Sequence, residues 1–315
     1  MTVRSPEDSL WELLRGALGT RALALVADLD VADALADGPR SVTDLAQELD
    51  TDPDTLRRFM RALAGEGIFA ERELGVFANT EASELLRSGW GSFAHLFGGA
   101  WFTATGALDA SGQASFPTVF GTDFWSWLAK NPGERAAFDH AMEQGKESRI
   151  ERLAAVDWRG DETVVDVGGG NGSLLVGLLE RHPGLRGIVF DLPETTRDEA
   201  GFGNRCTFEA GSFFERVPEG DVYVLATILH DWDDVSAARI LETIRAHAPA
   251  SARLLVLESV LSAGNEPDGA KWLDLLMLAL FAGRERDEAQ WRALLLAGGF
   301  EPVSIADGLI EARCR

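Results

Sequence analysis

Apolar residues recur at helical spacing in the first part of the chain. The segment SVTDLAQELDTDPDTLRRFMRALAG predicts two short amphipathic helices. Their shared apolar stripe consists of Leu45, Leu49, Leu56, Phe59 and Leu63. Thr43 or Ser41 can cap the first helix, and Asp52 precedes Pro53 at the start of the second. We therefore expect both helices to bury this stripe in one small core.

A hairpin and an aromatic-rich segment follow these helices. The segment GIFAERELGVFANT alternates apolar and polar residues around Leu74–Gly75, which predicts a two-stranded wing and completes a winged-helix plan. Residues 90–150 contain most of the large aromatic side chains, and we expect helices there, separated by breaks that contain glycine. Such aromatic side chains ordinarily form the core between helices.

From residue 161 the pattern changes to short apolar runs that alternate with amphipathic segments. We expect strands at TVVDV, GIVFDL, TFEAG, DVYVLATIL and ARLLVLESVL, and helices at SLLVGLLERH, VSAARILETIRAHA and EAQWRALLLAGGF. Runs of Val, Ile and Leu between helices predict a parallel sheet that is covered on both faces. This half is therefore expected to be a doubly wound α/β domain whose ligand lies beyond the carboxyl ends of the strands.

These patterns predict an α-helical winged-helix domain at 1–88, a helical linker and pocket region at 89–155, and a Rossmann-like α/β domain at 156–315. Apolar residues make up 46% of the chain and charged residues 25%, which is typical of a soluble globular protein. No apolar run is long enough to span a membrane, and two cysteines are too few for a disulfide scaffold, so we expect a cytoplasmic protein. The net charge of −22 argues against nucleic acid as a partner.

The segment DVGGGNGS lies between a predicted strand and a predicted helix, and its glycines let a ligand approach the backbone closely. The dinucleotide pattern G-x-G-x-x-G fails because Ser173 stands at its third glycine, and a P-loop fails because no lysine follows. Asp166, before the first glycine, favours a cationic ligand. Asp191 follows after about 20 residues, where a ribose diol is normally held. A ribose and a cation without a diphosphate indicate S-adenosylmethionine.

Further motifs follow in the order FDLPE, GSFFERVP, LHDWDD, LVLESVL and AGRERDEAQWRALLLAGGF. Together with DVGGGNG they resemble the small-molecule O-methyltransferases of the caffeate and polyketide type. The winged-helix start and AFDHAMEQGKES fit the same family, so the resemblance covers essentially the whole chain. It implies an S-adenosylmethionine-dependent O-methyltransferase of specialised metabolism that forms a homodimer through its N-terminal domain.

The resemblance also assigns roles in the glycine turn. Gly168, Gly170 and Gly172 would shape the methionine end of the cofactor pocket, and Asp166 would lie near the ammonium group.

The same resemblance assigns the remaining cofactor contacts to later strand ends. Asp191 would accept hydrogen bonds from both ribose hydroxyls, and Leu192, Ser212 and Phe213 would lie beside the adenine. Many relatives have Asp in place of Ser212 and Lys in place of Ala226. A hydroxyl binds an amino group less strongly than a charged acceptor does. Weaker cofactor binding, or a different contact to the adenine, follows from these departures.

The catalytic residues follow from the chemistry and from the resemblance together. A phenol has a pKa near ~10 and is mostly protonated at neutral pH, so a base should take its proton while the reacting atoms are held in line. His230, expected at the end of a strand, stands where the family has this general base. Glu258 and Glu285 match the two acids that orient the base or the acceptor, and Asp231 would bind the acceptor or assist. The sequence shows no metal-ligand cluster, and the family needs no metal.

An aromatic or polyketide-like small molecule is the expected acceptor. Met142 matches a methionine that flanks the substrate in the family, and Trp101 and Phe102 are candidates for an apolar acceptor pocket. Methionine and aromatic side chains also commonly fill cores.

Two other functions are compatible with parts of the sequence. A winged-helix regulator would use DPDTLRRFMRALAG as its recognition helix, with Arg57, Arg58 and Arg61 on phosphates, although these arginines also fit a solvated helix face. The same scaffold can instead bind S-adenosylmethionine and catalyse hydroxylation, decarboxylation or cyclisation. The departures at Ser212 and Ala226 keep this second alternative open.

Overall fold

The computed structural model describes residues 5–193, 195 and 204–315, and these residues fold into two compact units. The helical unit contains the chain up to Ala107 together with Trp125–Gln144. The α/β unit contains Leu108–Phe124 and Gly145–Arg315.

The helical unit is built largely from helices, with a small sheet. Its helices are α1 (Pro6–Asp28), α2 (Val31–Ala34), α3 (Val42–Glu48), α4 (Pro53–Gly65), α5 (Glu81–Glu84), α6 (Gly89–Gly98), α7 (Ala100–Thr105), α9 (Phe124–Lys130) and α10 (Pro132–Met142), while α8 (Phe116–Phe120) belongs to the α/β unit. A 3₁₀ helix spans Leu85–Arg87, and the strands are β1 (Arg40–Ser41), β2 (Phe69–Glu73) and β3 (Val76–Asn79).

Local signals in the sequence explain where α3 and α4 begin. The Ser41 hydroxyl accepts a hydrogen bond from the Asp44 N–H (3.1 Å), so Ser41 caps α3 and Thr43 does not. The Asp52 carboxylate accepts from the Thr55 N–H (2.8 Å), with proline in the first turn of α4. Strands β2 and β3 pair antiparallel around the predicted Leu74–Gly75 turn, and β1 pairs with β3. Helix, turn, helix and hairpin are thus observed in the predicted order.

The predicted apolar stripe forms the core of the helical unit. Leu45, Leu56 and Leu63 are buried, while Leu49 and Phe59 pack against the cluster from its edge. On the opposite side of α4, Arg58 pairs with Asp54 one turn earlier at 2.8 Å, and both side chains are exposed. This pair is what a solvated helix face predicts for Arg58, whereas Arg57 is partly buried.

The α/β unit alternates strands and helices. Its strands are β4 (Thr163–Val167), β5 (Arg186–Asp191), β6 (Cys206–Ala210), β7 (Val222–Ala226), β8 (Arg253–Leu257), β9 (Val260–Leu261), β10 (Arg286–Asp287), β11 (Phe300–Ala306) and β12 (Leu309–Cys314). Its later helices are α11 (Lys146–Ala154), α12 (Ser173–Arg181), α13 (Asp234–His247), α14 (Gly269–Phe281) and α15 (Glu288–Ala297).

The main sheet has the strand order β11-β12-β8-β7-β4-β5-β6. Strands β4 to β8 pair parallel with their neighbours, as predicted. The sheet is not parallel throughout, because at one edge β12 runs antiparallel to β8 and to β11. These last strands form a hairpin that turns at Asp307 and Gly308, both with positive φ, and short chain connections of this kind require antiparallel pairing.

Both faces of this sheet are covered, because buried side chains alternate along each central strand. Val165, Tyr223 and Leu254 pack on one face with residues of α13 and α15. Their neighbours in sequence pack on the other face with residues of α11 and α12: Val164, Val222 and Leu255. The doubly wound architecture is thus confirmed. Among the helices of the described residues, none combines the length and apolarity needed to cross a membrane.

Two strands are shorter than predicted, and both end beside candidate site residues. DVYVLATIL forms a strand only to Ala226, because Thr227 adopts φ 55°, a left-handed conformation that a β-branched residue rarely takes. ARLLVLESVL forms β8 only to Leu257, and its last part pairs as β9 with β10 instead. Helix α14 has no counterpart among the predicted elements.

Candidate active site

The predicted site segments of the α/β unit follow the carboxyl ends of its parallel strands. Gly168 follows β4, Asp191 ends β5, Ser212 follows β6, His230 follows β7 and Glu258 follows β8. The carboxyl ends of parallel neighbouring strands lie at one edge of a sheet. The topology therefore brings residues spread over nearly a hundred positions of sequence to one edge.

The glycine turn adopts a conformation that explains its composition. Gly168, Gly170 and Gly172 have φ values of 74°, 58° and 81°, which side chains other than glycine rarely adopt. The Gly168 N–H donates to the carbonyl oxygen of Phe190 at 2.8 Å, so the turn is held against the end of β5. A Cβ at Gly170 would meet nothing within 4 Å, which leaves open space beside the backbone for a ligand.

Asp166 is a buried carboxylate beneath this turn. It is 2% exposed, and within the described residues its Oδ2 has no hydrogen-bond partner. Burial raises its pKa to about 7, and the charge of Asp191 adds to this shift while Arg149 opposes it. A Cβ at Gly169 would lie 2.8 Å from the carboxyl carbon and from Oδ2, so only glycine fits there. Gly169 stands inside the glycine run but outside the spacing of the other three glycines, so the motif alone does not indicate this role.

Asp191 ties the end of β5 to the glycine turn. Its Oδ2 accepts from the Gly170 N–H at 2.7 Å, and its Oδ1 accepts from the Leu192 N–H at 2.6 Å and from the Thr195 hydroxyl at 2.8 Å. A carboxylate has about four lone-pair positions, so this carboxylate retains capacity for a further donor.

The residues assigned to the adenine present an apolar surface. Leu192 is 42% exposed, and the Phe213 ring packs edge to face against Trp232 with centroids 6.0 Å apart. The Ser212 hydroxyl accepts from the Phe214 N–H at 3.3 Å and so stabilises the turn after β6.

His230 lies in a short 3₁₀ helix, Leu229–Asp231, and not at a strand end as predicted. One oxygen of Glu258, Oε1, accepts from the backbone N–H groups of Ile228 (2.9 Å), Leu229 (2.8 Å) and His230 (3.4 Å). These donors are the ones that the start of a helical turn leaves unpaired. The carboxylate of Glu258 therefore holds the backbone that carries His230.

The imidazole of His230 faces three carboxylates. Its Nδ1 lies 2.7 Å from Glu285 Oε1, which is hydrogen-bond distance. Glu258 Oε2 lies 3.5 Å from the same nitrogen, and Asp231 Oδ1 lies 3.5 Å from Nε2, and both distances are too long for a good hydrogen bond. Glu285 is itself positioned by its N–H, which donates to Asp274 Oδ1 on α14 at 2.8 Å. The structure thus brings all the predicted catalytic residues together.

The electrostatics of this cluster favour a protonated imidazole. Burial lowers the pKa of His230, but the charges of Glu258, Asp231 and Glu285 and the Glu285 hydrogen bond outweigh it and raise that pKa to about 10. The pKa of Asp231 is raised to about 7, chiefly by burial. Burial also raises the pKa of Glu258, against the attraction of His230.

The sequence shows no metal-ligand cluster, but three of the site residues come close together in the folded chain. One ligand atom each from His230, Glu258 and Glu285 lies within 4.8 Å of the others. The three residues are far apart in sequence, so no local spacing could reveal them. The 2.7 Å separation of Nδ1 and Glu285 Oε1 is that of a hydrogen bond.

The predicted acceptor-binding residues lie in the helical unit. Trp101, on α7, is 4% exposed and packs edge to face against Phe97 with ring centroids 5.1 Å apart. Phe102 and Met142, on α7 and at the end of α10, are partly exposed. Their role at an acceptor stays a prediction.

Comparison with known proteins identifies the family. Residues 101–301 match the profile of an O-methyltransferase domain, and residues 11–89 match that of an O-methyltransferase dimerisation domain. The first match alone covers more than half of the chain. This chain belongs to the O-methyltransferase family. The N-terminal match supports a dimerisation domain over a DNA-binding module for this O-methyltransferase.

Individual relatives extend over nearly the whole chain. The phenazine O-methyltransferase of Lysobacter antibioticus is 35% identical over 96% of this chain and 95% of its own. The solved structure of mitomycin 7-O-methyltransferase has a TM-score of 0.88 at 32% identity and covers 98% of both chains. An O-methyltransferase of neocarzinostatin biosynthesis, solved with S-adenosyl-L-homocysteine and 1,4-dihydroxy-2-naphthoic acid, has a TM-score of 0.81 at 32% identity over 94% of this chain and 96% of its own. The present O-methyltransferase is accordingly dependent on S-adenosylmethionine.

A second glycine that no sequence motif indicates lies against the His230 turn. A Cβ at Gly283 would overlap the His230 carbonyl oxygen and lie 2.6 Å from the Asp231 carbonyl carbon. We expect Gly283→Ala to displace this turn and lower kcat by about a hundredfold, because small misplacements of reacting groups have effects of this size. Steady-state kinetics measures the loss. Gly269→Ala on α14, where a Cβ meets nothing within 4 Å, is the control, and equal kinetics for both variants would contradict the prediction.

The buried Asp166 carboxyl predicts an unusual dependence of stability on pH. Its folded pKa is raised, so the folded state keeps a proton that the unfolded state releases near pH 4, and stability falls as pH rises from about 4 to about 7. Asp166→Asn removes this loss. We therefore expect the variant to gain about 2–4 kcal/mol relative to wild type between pH 4 and pH 8, measured as a widening Tm difference. Asp161→Asn, at a largely exposed side chain, is the control, and a Tm difference that does not change with pH would count against the prediction.

Proposed function

We propose that this O-methyltransferase transfers a methyl group to a hydroxyl of an aromatic, polyketide-like small molecule, with His230 as the general base. The observation that carries this is the 2.7 Å hydrogen bond between His230 Nδ1 and Glu285 in a buried cluster. A base oriented through one ring nitrogen presents the other, Nε2, to a proton donor. Of the relatives named above, one is a phenazine O-methyltransferase, one is a mitomycin 7-O-methyltransferase and one was solved with a bound dihydroxynaphthoic acid, and these cyclic compounds support the same class of acceptor here.

We assign S-adenosylmethionine to the glycine-turn edge of the sheet. When bound, it supplies an electrophilic methyl group on a positively charged sulfur. Asp166 would hold the ammonium group, because its buried Oδ2 lacks a hydrogen-bond partner within the described residues. Gly168, Gly170 and Gly172 would admit the methionine portion to the backbone, where the space beside Gly170 is open.

The remaining cofactor contacts follow the same edge. Asp191 would accept from the ribose hydroxyls, through the lone-pair position that its three hydrogen bonds leave free and the one that the Thr195 hydroxyl now occupies. Leu192 and Phe213 would pack against the adenine. The Ser212 hydroxyl would bind the adenine amino group as a neutral acceptor, in place of the aspartate of many relatives.

The proposed chemistry at His230 is proton transfer. Nε2 accepts the hydroxyl proton of the acceptor, and the oxygen becomes nucleophilic as it loses that proton. Glu285 stabilises the resulting imidazolium through the Nδ1 hydrogen bond, and Asp231 lies beside Nε2, where it would contact the acceptor hydroxyl. Glu258 holds the turn backbone through its short hydrogen bonds, which all go to N–H groups, and its charge also raises the pKa of the ring.

The function is tested with methyl-labelled S-adenosylmethionine and a panel containing 1,4-dihydroxy-2-naphthoic acid, a hydroxyphenazine and 3-amino-4-hydroxybenzoate. We expect transfer to at least one phenol, with His230→Gln slower by about a hundredfold or more. Chelation with EDTA should leave the rate unchanged, because the cluster works through a proton. Binding of the cofactor without transfer to any phenol would contradict methylation, and unchanged turnover by His230→Gln would contradict a general base.

The pH dependence separates the base from the acceptor. The folded-state pKa of His230 is raised to about 10. The fraction of neutral, reactive imidazole therefore increases with pH, and we expect kcat/KM to rise from pH 7 toward pH 10. Glu285→Gln removes a charge that raises this pKa, so its profile should shift to lower pH, whereas Asp274→Asn, which keeps an acceptor for the Glu285 N–H, should not shift it. Repeating the measurement with an acceptor whose hydroxyl is more acidic identifies any part of the pH profile that reports ionisation of the phenol, because that part should shift to lower pH. If the pH profile shifts only with the pKa of the acceptor, ionisation of His230 does not cause the pH dependence.

We also propose that the chain forms a homodimer through α1. The first half of this helix exposes apolar side chains by 63–74%: Leu10, Trp11, Leu13, Leu14 and Leu18. Contiguous exposed apolar surface of this kind marks an interface. Most of it falls within the segment that matches the dimerisation domain.

The double variant Leu14→Asp, Leu18→Asp is expected to be monomeric in analytical ultracentrifugation, because each substitution places a charge in the proposed interface. Leu74→Asp, at the hairpin turn with 85% exposure, is the matched control and should remain dimeric. A dimer that survives the double variant would place the interface elsewhere.

A further inference from the structure

Arg286 is a fully buried cation next to the candidate base. It is 0% exposed, and its guanidinium donates from Nη1 to the carbonyl oxygen of Leu229 (2.9 Å) and from Nη2 to that of Trp232 (2.8 Å). Its Nε donates to Asp234 Oδ1 at 2.9 Å, and its charge lies over the Trp291 ring, 5.3 Å from the centroid. Together these contacts fix the guanidinium in a single orientation.

The two carbonyl groups that it binds flank the catalytic residues in sequence. Leu229 precedes His230, and Trp232 follows Asp231. The guanidinium therefore bridges both ends of the turn that carries His230. Glu258 binds the N–H groups at the start of this turn, and Arg286 binds carbonyl groups on it, which places a negative and a positive charge where a helical turn favours each.

The same segment of chain also carries the carboxylate that orients the ring. The Arg284 N–H donates to the His230 carbonyl oxygen at 2.8 Å, Glu285 binds His230 Nδ1, and Arg286 bridges the turn. Three consecutive residues thus contact one turn. The contacts of Arg284 and Arg286 with the backbone of the turn set the distance between the Glu285 carboxylate and the imidazole.

We infer that Arg286 is a positioning residue for methyl transfer, which holds the His230 turn in register with Glu285. This inference rests on the proposed role of His230 as general base. Lysine is not equivalent here, because a single ammonium group lacks the planar fork that reaches both carbonyl oxygens. A buried arginine with a merely structural role would affect stability without changing the hydrogen bond of the His230 ring.

The test compares Arg286→Lys with Arg253→Lys. Arg253 is a matched control, because its guanidinium lies 5.3 Å from the centroid of the Trp158 ring and donates to Asp157 O and Glu162, at the start of β8 and far along that strand from Glu258. We expect Arg286→Lys to lower kcat by about 10- to 100-fold, with the Kd of S-adenosylmethionine little changed. Arg253→Lys should retain wild-type kcat.

A spectroscopic signature reports on positioning directly. In protein labelled with ¹⁵N-histidine, the Nδ1 proton shared with Glu285 should resonate at low field and be absent from His230→Gln, which assigns it among the five histidines. We expect Arg286→Lys to move or broaden this signal. The Glu285→Gln and Arg286→Lys effects on kcat should also be less than additive in free energy, because both act on the same ring.

An unchanged signal in a folded Arg286→Lys protein overturns the inference, and so do effects of Glu285→Gln and Arg286→Lys that multiply. If Arg286→Lys does not fold, Asp234→Ala replaces it, because it removes the acceptors of both Arg284 Nη1 (2.8 Å) and Arg286 Nε. This variant should shift the Nδ1 proton signal in the same direction, and an unchanged signal would contradict the inference. Full activity of His230→Gln would instead reject the general base, while the signal still decides the role of Arg286.

Discussion

A carboxylate removed from water must find donors, since an unsatisfied buried charge is far more costly than a paired one. Glu258 is 4% exposed and meets this requirement with three backbone N–H groups of residues 228–230. For these groups to converge on one oxygen, the chain must leave the sheet at once after β7. The left-handed conformation of Thr227 provides that change of direction. The position of His230 is thus a consequence of satisfying Glu258, and the strain at Thr227 is offset by these bonds.

The two acidic clusters of the α/β unit have different electrostatic character. Around His230 the carboxylates surround a potential cation, so they raise its pKa and are themselves partly compensated. Around Asp166 the carboxylate is buried and lies close to a second acid, Asp191, so burial and like charge both raise its pKa. The first cluster retains a proton at a base. The second is suited to a cationic group from outside the chain, because the charged form of Asp166 is costly without one.

Much of this site could be predicted from sequence, because its key residues follow short apolar strands in recognisable motifs. The strands β4 and β5, the glycine turn and Asp191 depend on local pattern, and each lies where it was expected. The exact end of β7 could not be predicted, because DVYVLATIL remains apolar beyond Ala226 and the strand stops only where Glu258 draws the backbone away. The close approach of Gly283 to the His230 carbonyl and the bridging by Arg286 depend on residues more than fifty positions apart. No periodicity in a single sequence encodes such contacts.

Glu258 and Glu285 make different contacts, which shows that burial alone does not assign a role. Both are buried, and both have one oxygen with no hydrogen-bond partner in the described part of the chain. Their second oxygens differ, since that of Glu258 binds backbone N–H groups and that of Glu285 binds the imidazole. Removing the charge of Glu258 would loosen the turn and also lower the pKa of the ring. Removing that of Glu285 lowers the same pKa but leaves the turn bound by Glu258 and Arg286. Glu258 therefore influences both the position and the basicity of the proposed base, whereas Glu285 influences its basicity and the orientation of its ring.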